Sequence, residues 1–166
     1  MVSELVTQIF AFGHVLSAMG WLGGGMFTTF ALGPNLRKMS QGAALEFNAR
    51  VLPNLMRFVQ ASIGFTLLFG ILLLYAVSNG DMSYFSTTSG EEVSVGVVLA
   101  LVTAIVAFSV TLPSFKKVSR AAASALQGSQ GPPAEMMAYA KRARLGSMIG
   151  VVLLLITLAM MVAAGF

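Results

Sequence analysis

This chain of 166 residues carries one histidine, no cysteine and six acids, so its chemistry centres on His14. Counted from the middle of the first apolar run, near residue 18 or 19, His14 lies ~7 Å toward one surface at 1.5 Å per residue, still within the hydrocarbon of a bilayer. An imidazole there must find a partner, and ionisable side chains inside a membrane are functional candidates by default. At 100° per residue, Ser17, Trp21, Gly25 and Thr28 share its helix face to within about 60°. Such a polar and aromatic stripe, opened by glycine, suits a flat cofactor lying along the helix. It suits equally well a helix contact made through a hydrogen-bonded histidine. The lack of cysteine excludes thiolate metal sites, disulfides and iron–sulfur clusters. A single His excludes a conventional zinc site.

The elements that must position these residues are visible as long apolar runs. Leu5 to Leu32, Leu52 to Val77, Val93 to Leu112 and Leu145 to Phe166 contain no acid, and their one cation is Arg57. About 20 apolar residues cross the ~30 Å hydrocarbon layer. At 57% hydrophobic and 10% charged residues, the composition departs from that of a soluble domain, whose charged share is near ~25%. All ten Lys and Arg residues fall within Arg37 to Arg57 and Lys116 to Arg144, each segment lying between two runs. With Glu46 and Glu135 subtracted, this side carries 10 − 2 = +8, whereas the other carries only Glu4, Asp81, Glu91 and Glu92. By the positive-inside rule the basic loops are cytoplasmic and both termini lie outside. The net charge of +4 is therefore a topology signal and gives no support for nucleic-acid binding.

The expected fold is all-α, a polytopic four-transmembrane-helix bundle in the plasma membrane, with helices at about 5–33, 52–77, 93–115 and 134–166 of a single domain spanning 1–166. The N-terminus has no positive n-region and its apolar run is too long for a signal, so the first helix is expected to be retained. Pro34-Asn35-Leu36-Arg37-Lys38-Met39-Ser40 and Pro113-Ser114-Phe115-Lys116-Lys117-Val118-Ser119 both read Pro, polar, apolar, basic, basic, apolar, Ser. This pattern predicts two tandem helical hairpins in the same orientation, each leaving its first helix at the proline. Ser40 to Val51 reads as an amphipathic stretch at the headgroups, Gln127 to Pro133 as a linker, and the last helix is expected to begin near Pro133. Tyr75, Tyr84 and Phe85 flank the short acidic loop as interfacial anchors. The pairs Gly20 and Gly24, Gly96 and Ala100, and Gly146 and Gly150 mark close helix contacts within the bundle, with a homodimer contact open for the last.

The run Gly13-His14-Val15-Leu16-Ser17-Ala18-Met19-Gly20-Trp21-Leu22-Gly23-Gly24-Gly25-Met26-Phe27, followed by Gly33-Pro34 and Arg37-Lys38, resembles the first helix of copper-resistance protein D (CopD) membrane domains. It is similar, more weakly, to HemJ-type protoporphyrinogen oxidases, which are four-helix proteins of nearly this length. The specific motif covers about twenty residues of the chain. The resemblance implies His14 as a ligand of haem b or copper, with Trp21, Gly23 and Gly24 as helix-packing positions. HemJ-type proteins also carry a Lys in the third helix, and Val93 to Leu112 has none. CopD-type proteins bring several His residues, and here there is one. A haem on His14 would thus be five-coordinate, take a Met such as Met148, or be shared between two chains.

Other chemistries are narrower. Met19 and Met26 point about 140° and 120° away from His14, so the first helix carries no thioether ladder for copper. Met160 and Met161 could reach His14 only if the bundle brings those levels together. The spans hold no carboxylates away from their ends for acid–base work or a proton relay, and most of their hydroxyls bond their own helices. Three functions follow as expectations. One is a haem- or copper-associated membrane domain working through His14. Another is a non-catalytic structural subunit packed against other membrane subunits of a respiratory or oxidase type complex. The last, a small-molecule carrier, is suggested by the repeat alone.

Overall fold

A computed structural model describes residues 3–128 and 134–164. Among these residues the chain is helical throughout its regular structure, and four helices are long and apolar enough to cross a membrane: α1 Glu4–Leu36, α3 Leu52–Ser78, α4 Thr88–Gln127 and α5 Ala134–Ala163. A short helix α2, Gln41–Arg50, joins the first two. The expected helix start at Pro133 and most of the linker before it lie outside the described residues.

Local chemistry sets the helix ends. Ser3 caps α1 by accepting from the Val6 N–H, and Ser40 caps α2 through the Ala43 N–H, each satisfying one orphan donor. Helix α3 carries Pro53 in its first turn and stops where Asn79 and Gly80 take φ of 50° and 75°, the left-handed geometry that ends helices. Thr87 then caps α4 through the Gly90 N–H, with Glu91 in the first turn. That cap explains why α4 begins at Thr88 rather than 93. Its far end continues to Gln127 rather than stopping near 115 because Ala121 to Ala125 is strongly helix-forming and packs back on α2. There Val118 and Ala122 are buried, as are Leu45 and Asn48 of α2. The stretch expected at the headgroups therefore packs against the basic extension of α4.

Neither proline ends its helix. Pro lacks an N–H, and its ring crowds the carbonyl four residues back. Helices α1 and α4 both pass through their prolines by widening into a π turn just before them, at Phe27–Leu32 and Ala107–Thr111. The Gly33 N–H donates to the Thr28 carbonyl and the Leu112 N–H to the Ala107 carbonyl, both five residues back. Donors, acceptors and prolines are equally spaced: 112 − 33, 107 − 28 and 113 − 34 are each 79 residues. The sequence likeness around the prolines thus extends to a backbone irregularity on their apolar side.

Helices α1 and α3 pack antiparallel. Gly13 lies against Phe69, Gly20 against Ser62 and Gly24 against Val59. Helices α4 and α5 do the same, with Gly96 against Met161, Thr103 facing Gly150 and Thr111 against Gly146. Gly146 and Gly150 are therefore spent on contacts within the chain. The two pairs meet around Trp21, Val59, Ile63 and Ala104, flanked by Met56, Leu67, Ala107, Leu112 and Leu154. Large apolar side chains remain exposed on all four long helices, among them Phe12, Phe65, Ile105 and Val152, the surface that hydrocarbon solvates.

Candidate functional site

His14 sits on the acidic-end half of α1 and turns toward α3. Its Nδ1 lies 3.0 Å from the Thr66 carbonyl oxygen. A carbonyl only accepts, so Nδ1 carries the proton and donates. The Thr66 carbonyl is open to this outside donor because of the residue one turn further on: Gly70 has no side chain, and a Cβ there would stand 3.0 Å from both Nδ1 and Cε1 of the ring. The imidazole thus occupies the notch that Gly70 leaves. With Nδ1 protonated, Nε2 keeps its lone pair, and it has no hydrogen-bond partner among the described residues. A ring nitrogen fixed to a backbone carbonyl, with the other free, is the tautomer in which histidine binds metals.

The other members of the stripe do not gather around that nitrogen. Ser17 donates to the Gly13 carbonyl at 2.6 Å and so serves its own helix. Trp21, 4% exposed, is buried between the two helix pairs, which explains an indole so far from an interface. Gly25 faces Val151 of α5, and the Thr28 hydroxyl bonds the Gly24 and Gly25 carbonyls at 3.0 and 2.9 Å. Of the positions implied as packing sites, Trp21 and Gly24 pack, whereas nothing lies within 4 Å of a Cβ built on Gly23.

Trp21, Gly25 and Thr28 instead line a cavity of about 40 Å³, together with Thr103, Thr111 and Ser147. It holds about one water, far below the ~300–1,000 Å³ of small-molecule sites, and His14 is not among its lining residues. A haem therefore does not fit inside the bundle, and the proposed site residues divide into two places. Of the methionines considered as ligands, Met19 is 66% exposed, Met148 is exposed, and Met161 lies against Gly96. No group of three or more His, Asp or Glu able to hold a metal occurs among the described residues. What these residues can offer a haem or a copper ion is one well-oriented imidazole nitrogen, its remaining ligands coming from elsewhere.

Sequence reasoning missed Thr66 and Gly70. A glycine four residues after a threonine in the helix that returns beside His14 was the available signal, but the acceptor is a backbone atom that no residue type announces. Compared with protein-family models, curated proteins and solved structures, the chain matches none of them.

Proposed function

We propose that this chain is a multi-pass membrane subunit that offers the Nε2 of His14, at the lateral surface of the α1–α3 pair, to a haem or copper centre completed by another chain. The basic loops face the cytoplasm, both termini face outward, and the two helix pairs descend from one duplicated hairpin. The observation that carries the reading is the 3.0 Å hydrogen bond from His14 Nδ1 to the Thr66 carbonyl, which fixes the ring and leaves Nε2 as a base. The fit is partial: one ligand, a tautomer suited to it, and no volume inside the bundle. A haem or copper ion bound there would supply electron transfer. The chain's own part is to hold the imidazole at fixed depth and keep water away from it.

The test is an absorption spectrum and metal analysis of protein extracted in mild detergent. Two variants separate ligation from packing: His14→Ala removes both, while His14→Gln keeps an N–H donor for the Thr66 carbonyl and loses the imidazole. A Soret band or bound copper in the parent, absent from both variants at unchanged yield, supports the reading. Parent protein without haem or copper, alone and with its partners, removes it.

A second reading, a purely structural subunit, draws on the filled interior and the exposed apolar faces of all four long helices. It predicts co-purification with other membrane subunits in fixed ratio whether or not His14 is present. Orientation is tested apart from either, by protease access to a tag after Phe166 in intact cells.

A further inference from the structure

Outside the His14 region, a polar recess lies at the basic end, in the groove between α4 and α5. It has a volume of about 190 Å³ and is lined by Ser109, Val110, Pro113, Ser114, Lys117, Tyr139 and Arg142. We propose that this recess binds the phosphate of an anionic phospholipid, whose acyl chains lie along the apolar groove that continues toward the bundle middle.

Charge supplies the first reason. Lys117 and Arg142 line one opening, no acid lines it, and neither has an ion-pair partner among the described residues, whose one ion pair is Arg50 with Glu46 at 3.4 Å. Two cations facing one recess repel each other, and a phosphodiester relieves that repulsion while accepting several hydrogen bonds. The second reason is pre-organisation. The Lys117 ammonium stands 4.7 Å from the centre of the Tyr139 ring, a cation–π contact that holds a flexible side chain at the rim. Buried Ser114 and the Tyr139 hydroxyl add uncharged polar groups, whereas the Ser109 hydroxyl donates to the Ile105 carbonyl of its own helix.

Shape supplies the third. The volume is below that of a pocket for a whole small molecule, so it takes one phosphate-sized group and leaves the rest of its bearer outside. Directly toward the bundle middle, Ile105 is one turn from Ser109, while Leu145 and Ile149 follow Arg142 on α5, all three exposed. A ligand with a phosphate at one end and long apolar chains at the other matches that succession. Basic recesses between spanning helices on the cytoplasmic side are suited to acidic headgroups. A zwitterionic choline lipid would bring its own cation against Lys117 and Arg142.

Counting back 79 residues, Asn35 and Lys38 stand where Ser114 and Lys117 do, and Phe30 stands where Ser109 does. The proposal rests on the reading that the basic end faces an anionic leaflet.

Native mass spectrometry of the full chain in mild detergent, titrated with phosphatidylglycerol, phosphatidylcholine or inorganic phosphate, tests it. One phosphatidylglycerol should be retained in preference to phosphatidylcholine. Lys117→Gln with Arg142→Gln should weaken that binding about 30-fold, and either alone about 5-fold. All four positions changed in these variants and in the control pair Arg37→Gln with Lys38→Gln are at the protein surface or rim, so helicity by circular dichroism should be unchanged. The control pair should leave binding intact. Equal weakening by the control pair, or inorganic phosphate binding as tightly as the lipid, overturns the proposal. Alkaline carbonate extraction of membranes separately reports whether the chain is embedded, so failure of that reading is distinguishable from failure of the lipid site.

Discussion

Replacing Gly70 with Ala tests whether a missing side chain on α3 holds the imidazole of α1. The added Cβ would stand 3.0 Å from His14 Nδ1 and Cε1, where ordinary contact begins at 3.4 Å. The ring must retreat by roughly 0.4 Å or more, which stretches its 3.0 Å bond to the Thr66 carbonyl toward the limit of a useful hydrogen bond. Losing that bond costs about 0.5–1.5 kcal/mol, toward the lower end in a membrane setting. Against this, Ala favours a helix interior over Gly by up to ~1 kcal/mol. In the parent the two effects nearly cancel, so the single variant by itself is uninformative. In a His14→Ala background the clash is gone and only the helix gain remains, so Gly70→Ala there should stabilise. The expected coupling between positions 14 and 70 is about 0.6–1 kcal/mol, above the ~0.3–0.5 kcal/mol scatter of independent sites. Trp21 is the chain's single tryptophan and is buried where the helix pairs meet. Its fluorescence therefore reports reversible unfolding as denaturing detergent is titrated into mixed micelles. Additive free energies for the two substitutions would show that the ring does not depend on the notch.

Gly20→Ala should destabilise by about 1–3 kcal/mol in the same titration, because its Cβ would meet the Ser62 hydroxyl oxygen at 2.6 Å. Gly23→Ala, with open space around it, should be neutral or slightly stabilising; equal effects at 20 and 23 would contradict the packing described. Thr29 is 4% exposed and its hydroxyl has no partner, so the near-isosteric Thr29→Val should hold stability constant or raise it by up to ~1 kcal/mol. A clear loss would mean that this hydroxyl is bonded after all. In the loop, the Ser83 backbone N–H, then its hydroxyl, hold the fully exposed Asp81 carboxyl below its usual pKa. The cap's contribution is thus present above the ordinary Asp range and is lost as pH falls through the lowered value. The Ser83 amide resonance should move over that acid interval and stay flat above it; a shift near neutrality would refute the assignment.

Length and charge made the four spans legible, since an apolar run of membrane-crossing length bounded by cations admits few alternatives. The prolines misled for a physical reason: Pro34 and Pro113 usually mark helix exits, and whether a chain stops or widens around the ring depends on backbone bonds that have no side-chain signature. The same limit governs the candidate site. A lone imidazole in an apolar helix announces that an acceptor must exist, and the wheel gives its direction. The acceptor proved to be a peptide carbonyl, made reachable by a residue without a side chain, so both halves of the partner were silent in residue type. The stripe failed differently: Trp21, Gly25 and Thr28 do share a face, but that face is consumed where α1 meets α5 and α3, while His14, two to four turns earlier, bonds α3. Residues sharing a face can still meet different partners when the neighbouring helices diverge along its length. An intramembrane histidine is therefore better read together with the small residues on the helix that returns beside it than with the stripe on its own helix. For this chain that reading pairs His14 with Gly70, and it leaves Nε2 as the ring nitrogen without a hydrogen-bond partner among the described residues.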